Sequence, residues 1–128
     1  MIRPSVQVAA GGWLLGSAVA LVIQGLFRRG FAKGTDWGYN GGWQREIAVW
    51  NLGTIVAGTS LLRMGEQAAR AQVRGYAVLS TLFGINHLVA ALRSRRRSSN
   101  WAGAISNAAG LTLCLAALNS SRTPSDQA

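Results

Sequence analysis

VAAGGWLLGSAVALVIQGLF, residues 8–27, decides how this chain has to be read. It is about 20 residues without one charge. At roughly 1.5 Å of rise per residue, a helix of that length matches the roughly 30 Å hydrocarbon core of a bilayer. A cleavable signal would carry a shorter apolar stretch followed by a small-residue cleavage site. Here Arg28 and Arg29 follow instead. The stretch is therefore expected to be a retained first membrane span.

The rest of the chain repeats this pattern. No charged side chain falls in 4–27, 47–62, 75–92 or 98–121, so 82 of the 128 residues are uncharged and all 17 charges crowd into the other 46. Charged residues make up only 13% of the chain, about half the level usual in soluble domains. This distribution excludes an ordinary soluble domain and a disordered tail. It predicts an all-α integral membrane bundle of four transmembrane helices, residues 1–119, with spans at about 8–27, 46–63, 75–92 and 101–119, followed by a polar tail, 120–128. The second window is short for a bilayer, so Glu46 and Arg63 are expected to snorkel outward from its ends. Mean hydropathy is only +0.20. The spans are rich in Gly, Ser, Thr and Asn, as in helices that approach one another closely.

Two rows of small residues carry that expectation. Gly12, Gly16, Ala20 and Gln24 recur every four residues in the first span, and Ala102, Ser106, Gly110 and Cys114 do so in the fourth. Helix-packing seams are thus expected at Gly12, Gly16, Ala20, Ser106 and Gly110. Between the first two spans lies RRGFAKGTDWGYNGGWQR, 28–45, with five glycines and the aromatic side chains Trp37, Tyr39 and Trp43. Glycine at that density breaks helices, and Trp favours the headgroup region. An interfacial loop is expected, with Trp37 and Trp43 touching lipid headgroups or a partner. Residues 64–74 read as a charged turn.

Charge placement sets an orientation. The first and third loops hold eight Lys and Arg, and the termini with the second loop hold five. The positive-inside rule then puts the first and third loops in the cytoplasm and both termini outside the inner membrane. The run Arg93, Arg95, Arg96 and Arg97 lies against a span end. There it reads as contact with lipid headgroups or an acidic partner rather than with nucleic acid.

His87 carries the sharpest functional hypothesis. Ser80, Gly84, His87 and Ala91 share one helical face, and an ionisable group within a span is a candidate site. Small neighbours leave room for a flat macrocycle, so His87 could ligate haem iron or chlorophyll magnesium. The plainer reading is a histidine hydrogen-bonded to a neighbouring helix, through Asn51, Asn107 or a backbone carbonyl. One His and one Cys exclude a poly-His metal cluster, a Cys-based zinc site and an intramolecular disulfide. No metal site is expected. Asp36, Glu46, Glu66 and Asp126 form no close carboxylate pair, and no nucleophile–base spacing is present. No catalytic residues are assigned.

WQREIAVWNLGTIVAGTSLLR, 43–63, followed by FGINHLVAAL, 83–92, resembles small four-span bacterial membrane proteins of the DoxX-like group and its relatives. Glu46 opening the second span and Arg63 bounding it fit that pattern. The resemblance implies a fold and no catalytic residues. The chain is thus expected to be a non-catalytic accessory subunit of a larger membrane complex. Its expected partners are the lipid bilayer and other membrane subunits or further copies of itself. The alternatives are a haem- or chlorophyll-binding subunit acting through His87, and a small oligomeric transporter or channel.

Overall fold

The computed structural model describes residues 4–94 and 98–120. Arg95, Arg96 and Arg97, and the tail from 121, lie outside the described residues. The described chain is all-helical: α1 Val6–Leu26, α2 Arg28–Lys33, α3 Gly41–Arg63, α4 Glu66–Arg93 and α5 Asn100–Ser120. Three helices, α1, α4 and α5, are long and apolar enough to cross a membrane. α3 has the length, 23 residues, but Asn51, Gly53, Thr54, Gly58, Thr59 and Ser60 dilute its apolar character.

Local chemistry fixes the helix ends. Ser5 caps α1, its Oγ accepting from the Val8 N–H at 3.2 Å. Asn40 caps α3: its Oδ1 accepts from the N–H groups of Gly42 and Trp43 at 3.0 and 3.2 Å, while Gln44 Oε1 accepts from the Asn40 N–H at 3.1 Å. This reciprocal cap satisfies three otherwise orphaned donors. It also overrides the helix-breaking tendency of Gly41 and Gly42, so α3 starts five residues before the expected span and Trp43 is helical. The expected interfacial loop, 28–45, shrinks to 34–40, because α2 continues α1 beyond a break at Phe27. The expected turn at 64–74 is shorter still. Met64 and Gly65 alone reverse the chain, Gly65 at φ 105, and α4 takes in the charged segment from Glu66 onward.

α1 packs mainly on α3, α4 mainly on α5, and α1 joins the two pairs by touching both α4 and α5. The core lies toward the end holding the start of α1. There Val6, Ala9, Ala10, Ala69, Val73, Tyr76, Cys114 and Ala117 are buried together. Next to it the Trp13 indole stacks on the Tyr76 ring at 4.0 Å and 7°, and donates from Nε1 to Ser80 Oγ at 2.9 Å.

The packing seams differ from the expected rows. On α1 the inward residues are Val6, Ala10, Trp13, Ser17 and Gln24; on α5 they are Asn100, Gly103, Asn107, Gly110, Cys114 and Ala117. Both follow alternating steps of three and four. A strict four-residue row drifts about 40° around a helix at each step, whereas alternating threes and fours stay on one face. Gly12 and Gly110 lie where close approach is required: a Cβ would meet Leu113 Cδ2 at 3.0 Å from Gly12, and Ser80 Oγ at 3.2 Å from Gly110. A Cβ at Gly16 would meet nothing, Ala20 is half-buried and Ser106 is exposed. Gly16 and Ser106 are therefore not seam residues within this chain.

The tightest glycine lies elsewhere, in α3. A Cβ on Gly58 would fall 2.5–2.6 Å from Gln72 Nε2, Leu14 Cδ2 and Tyr76 Oη. Gln72 and Tyr76 are bonded to each other there. Three atoms from two helices converge on that hydrogen, so none can give way alone. Gly58→Ala is expected to destabilise the bundle by about 1–3 kcal/mol through overpacking. Gly53→Ala, into open space, is expected to be neutral or to stabilise by about 0.5–1 kcal/mol through helix propensity. Unfolding of the detergent-purified variants, followed by helical circular dichroism, distinguishes them.

Candidate functional site

The end of the bundle opposite the apolar core is polar. Here the 34–40 connection, the last turns of α4 and the first turn of α5 meet. The Ser99 N–H donates to the Gly34 carbonyl at 2.8 Å, and Ser94 Oγ donates to Asp36 Oδ1 at 2.9 Å. Gly34 allows this approach, since a Cβ there would lie 3.1 Å from Ser99 Oγ.

His87 lies at the centre of this region. It is on α4 as expected, but within the last two turns of that 28-residue helix rather than at its middle. Its Nδ1 is 3.0 Å from Oδ1 of Asn100, the first residue of α5. With Asn100 Oδ1 as the acceptor, Nδ1 is the donor of this pair, and Asn100 Nδ2 is buried without a partner. Asn100 is fully buried. The Trp37 ring lies against the imidazole, centroids 5.1 Å apart and planes tilted by 51°. One expected headgroup aromatic, Trp37, is thus tied to the one candidate ligand, His87. Trp43 is not: it is exposed on α3. Arg93 is exposed at the end of α4.

The face that carries Ser80, Gly84, His87 and Ala91 is turned to α5. A Cβ on Gly103 would fall 2.5–2.7 Å from three imidazole atoms, one on Gly84 would meet Asn107 Cβ at 3.3 Å, and Ser80 faces Gly110. The room that small residues leave beside His87 is therefore filled by α5 rather than open to a macrocycle. Asn51 and Asn107 do not reach His87. Each bonds back to its own helix, Asn51 Nδ2 to the Ile47 carbonyl and Asn107 Nδ2 to the Gly103 carbonyl, both at 2.8 Å. Among the described residues no group of three or more His, Cys, Asp or Glu side chains converges as metal ligands do.

Asn100, Gly103 and the Asp36–Ser94 bond were not singled out from the sequence. Asn100 and Gly103 had a signal: they continue the alternating spacing of α5 toward its N-terminus. The Asp36–Ser94 bond joins residues 58 apart and left no local trace.

Removing one partner of a buried hydrogen bond costs more than removing both. His87→Leu is expected to cost about 1–3 kcal/mol, because Asn100 is left buried with its oxygen unpaired. The double variant His87→Leu/Asn100→Leu should cost less than the sum of the two single variants; additive losses in detergent unfolding would show that the pair is not coupled. Compared with protein-family models, with curated proteins and with solved structures, the chain has no match.

Proposed function

We propose that the chain is a small integral protein of the cell (inner) membrane, of the DoxX-like four-span kind, that serves as a non-catalytic accessory subunit of a larger membrane complex. The observation that carries this reading is how little of its apolar surface the chain buries itself. In the most apolar stretches of α1, α4 and α5, only 28%, 17% and 11% of residues are inside the protein. Leu15, Val78, Leu82, Ile105 and Leu115 all face outward. Surface of that extent requires lipid or another protein against it. α5 is the most open of the three, and we assign its outward face to a partner subunit or a second copy.

We take α3 as the fourth span. Its outward residues include Trp43, Val49, Trp50, Leu52 and Val56, all exposed. Its polar groups have partners or cover: Gln44 is buried, and Asn51 and Ser60 bond to carbonyls four residues back. Four spans put both termini on one side. We assign the other side to the cytoplasm because it carries Arg28, Arg29, Lys33, Arg45, Arg93 and the Arg95–Arg97 run in the sequence, eight cations against five.

A second reading has one observation in its favour. His87 Nδ1 is held 3.0 Å from Asn100 Oδ1, as the far ring nitrogen of metal-ligating histidines is held by a hydrogen-bond partner. A haem or chlorophyll would then be ligated by His87 from a side that α5 does not cover.

Extraction in a mild detergent with native lipid is expected to recover the chain with other membrane subunits in fixed ratio. Recovery as free monomer alone overturns the accessory-subunit reading. A Soret or near-infrared band in the same preparation would promote the cofactor reading. A C-terminal reporter active only in the cytoplasm would reverse the assigned orientation.

A further inference from the structure

Beside the His87 cluster lies a cleft of about 540 Å³, between the last turns of α4 and the 34–40 connection. Asp36 and Trp37 form one wall; Asn86, Val89 and Arg93 form the other. Two charges of opposite sign therefore line one cleft, yet no ion pair joins them. The acidic wall is held in place. Ser94 Oγ donates to the Asp36 carboxylate, the Ser99 N–H holds Gly34, and Trp37 rests on His87. Arg93 stands at the end of a long helix.

A membrane boundary that presents a held anion and a cation on one cleft suits a dipolar ligand rather than a single charge. We propose that this cleft binds the headgroup of a phospholipid bearing a primary amine, of the phosphatidylethanolamine class. The phosphate accepts from the Arg93 guanidinium and the Asn86 amide. The ammonium donates to the Asp36 carboxylate and lies against the Trp37 indole. Away from the cleft, Val89, Ile85 and Leu82 continue along one face of α4 at helical spacing, all exposed; an acyl chain lies along that stripe. A choline headgroup has no N–H to donate to Asp36. A glycerol headgroup brings a net negative charge toward that carboxylate with no cation to meet it.

This inference rests on the membrane reading above. It is tested by native mass spectrometry of the detergent-purified full chain, titrated with phosphatidylethanolamine, phosphatidylcholine and phosphatidylglycerol of matched acyl chains. Phosphatidylethanolamine is expected to bind about fivefold more tightly than the other two, the effect of one added charge contact at a membrane surface. Asp36→Asn keeps an acceptor for Ser94 and should remove that preference while leaving phosphate-dependent binding. Arg93→Gln should weaken all three lipids about fivefold. Equal binding of the three lipids, or a preference unchanged in both variants, overturns the proposal. Release of the chain from membranes by alkaline carbonate would sink the membrane reading itself. A carbonate-resistant chain without the lipid preference sinks only this site.

Discussion

A polar side chain on a helix whose outward residues are largely apolar has to find its partner within the chain, and where it does not the group stays orphaned, as Gln24 Oε1 and Gln72 Oε1 do. That constraint accounts for a recurrent side-chain bond in the long helices. Asn51, Ser60, Thr81, Asn107, Thr112 and Ser120 each bond the carbonyl four residues back, at 2.7–2.9 Å. In water such bonds compete with solvent and gain little; against an apolar surround they hide a dipole that would otherwise be unsatisfied. The spans therefore hold more polar residues than a lipid-facing helix is expected to tolerate, and the low mean hydropathy of +0.20 does not stand against three membrane-length helices.

The same constraint divides the molecule along its length. At one end small and apolar side chains close on Trp13 and Tyr76. At the other, order comes from hydrogen bonds between segments remote in sequence: Asp36 with Ser94, Gly34 with Ser99, His87 with Asn100. Dispersion and burial tolerate small shifts, whereas hydrogen bonds fail steeply with distance and angle. The polar end is thus the more sharply specified, and Arg28, Arg29, Lys33 and Arg93 lie toward it.

What could be read from the residues followed what is local. Charge-free windows of 16 to 24 residues placed every long helix, because helix length and hydropathy are properties of a continuous segment. The face of α4 holding Ser80, Gly84, His87 and Ala91 was also legible, since it alternates threes and fours. The rows through Gly16 and Ser106 were not true seams, because an unbroken four-residue step winds off the contact face. The helical start at Gly41 was hidden by two glycines, whose weakness as helix formers is offset by Asn40 and Gln44 acting together. That His87 bonds to a neighbouring helix was legible, but Asn100 as its partner, and Ser94 as that of Asp36, could not be read. They depend on which helix ends meet, and that is decided by packing rather than by any stretch of sequence.

The two-residue reversal at Met64–Gly65 has a mechanical consequence. Gly65 holds φ 105, a backbone state that side-chain-bearing residues rarely adopt. With no slack between them, α3 and α4 cannot slide past each other by a helical turn of about 5.4 Å without unwinding one of them. The longer connection at 34–40 is tied down by side-chain and backbone hydrogen bonds instead. Any large rearrangement of this protein must therefore keep α3 and α4 in fixed axial register and pivot at Gly65.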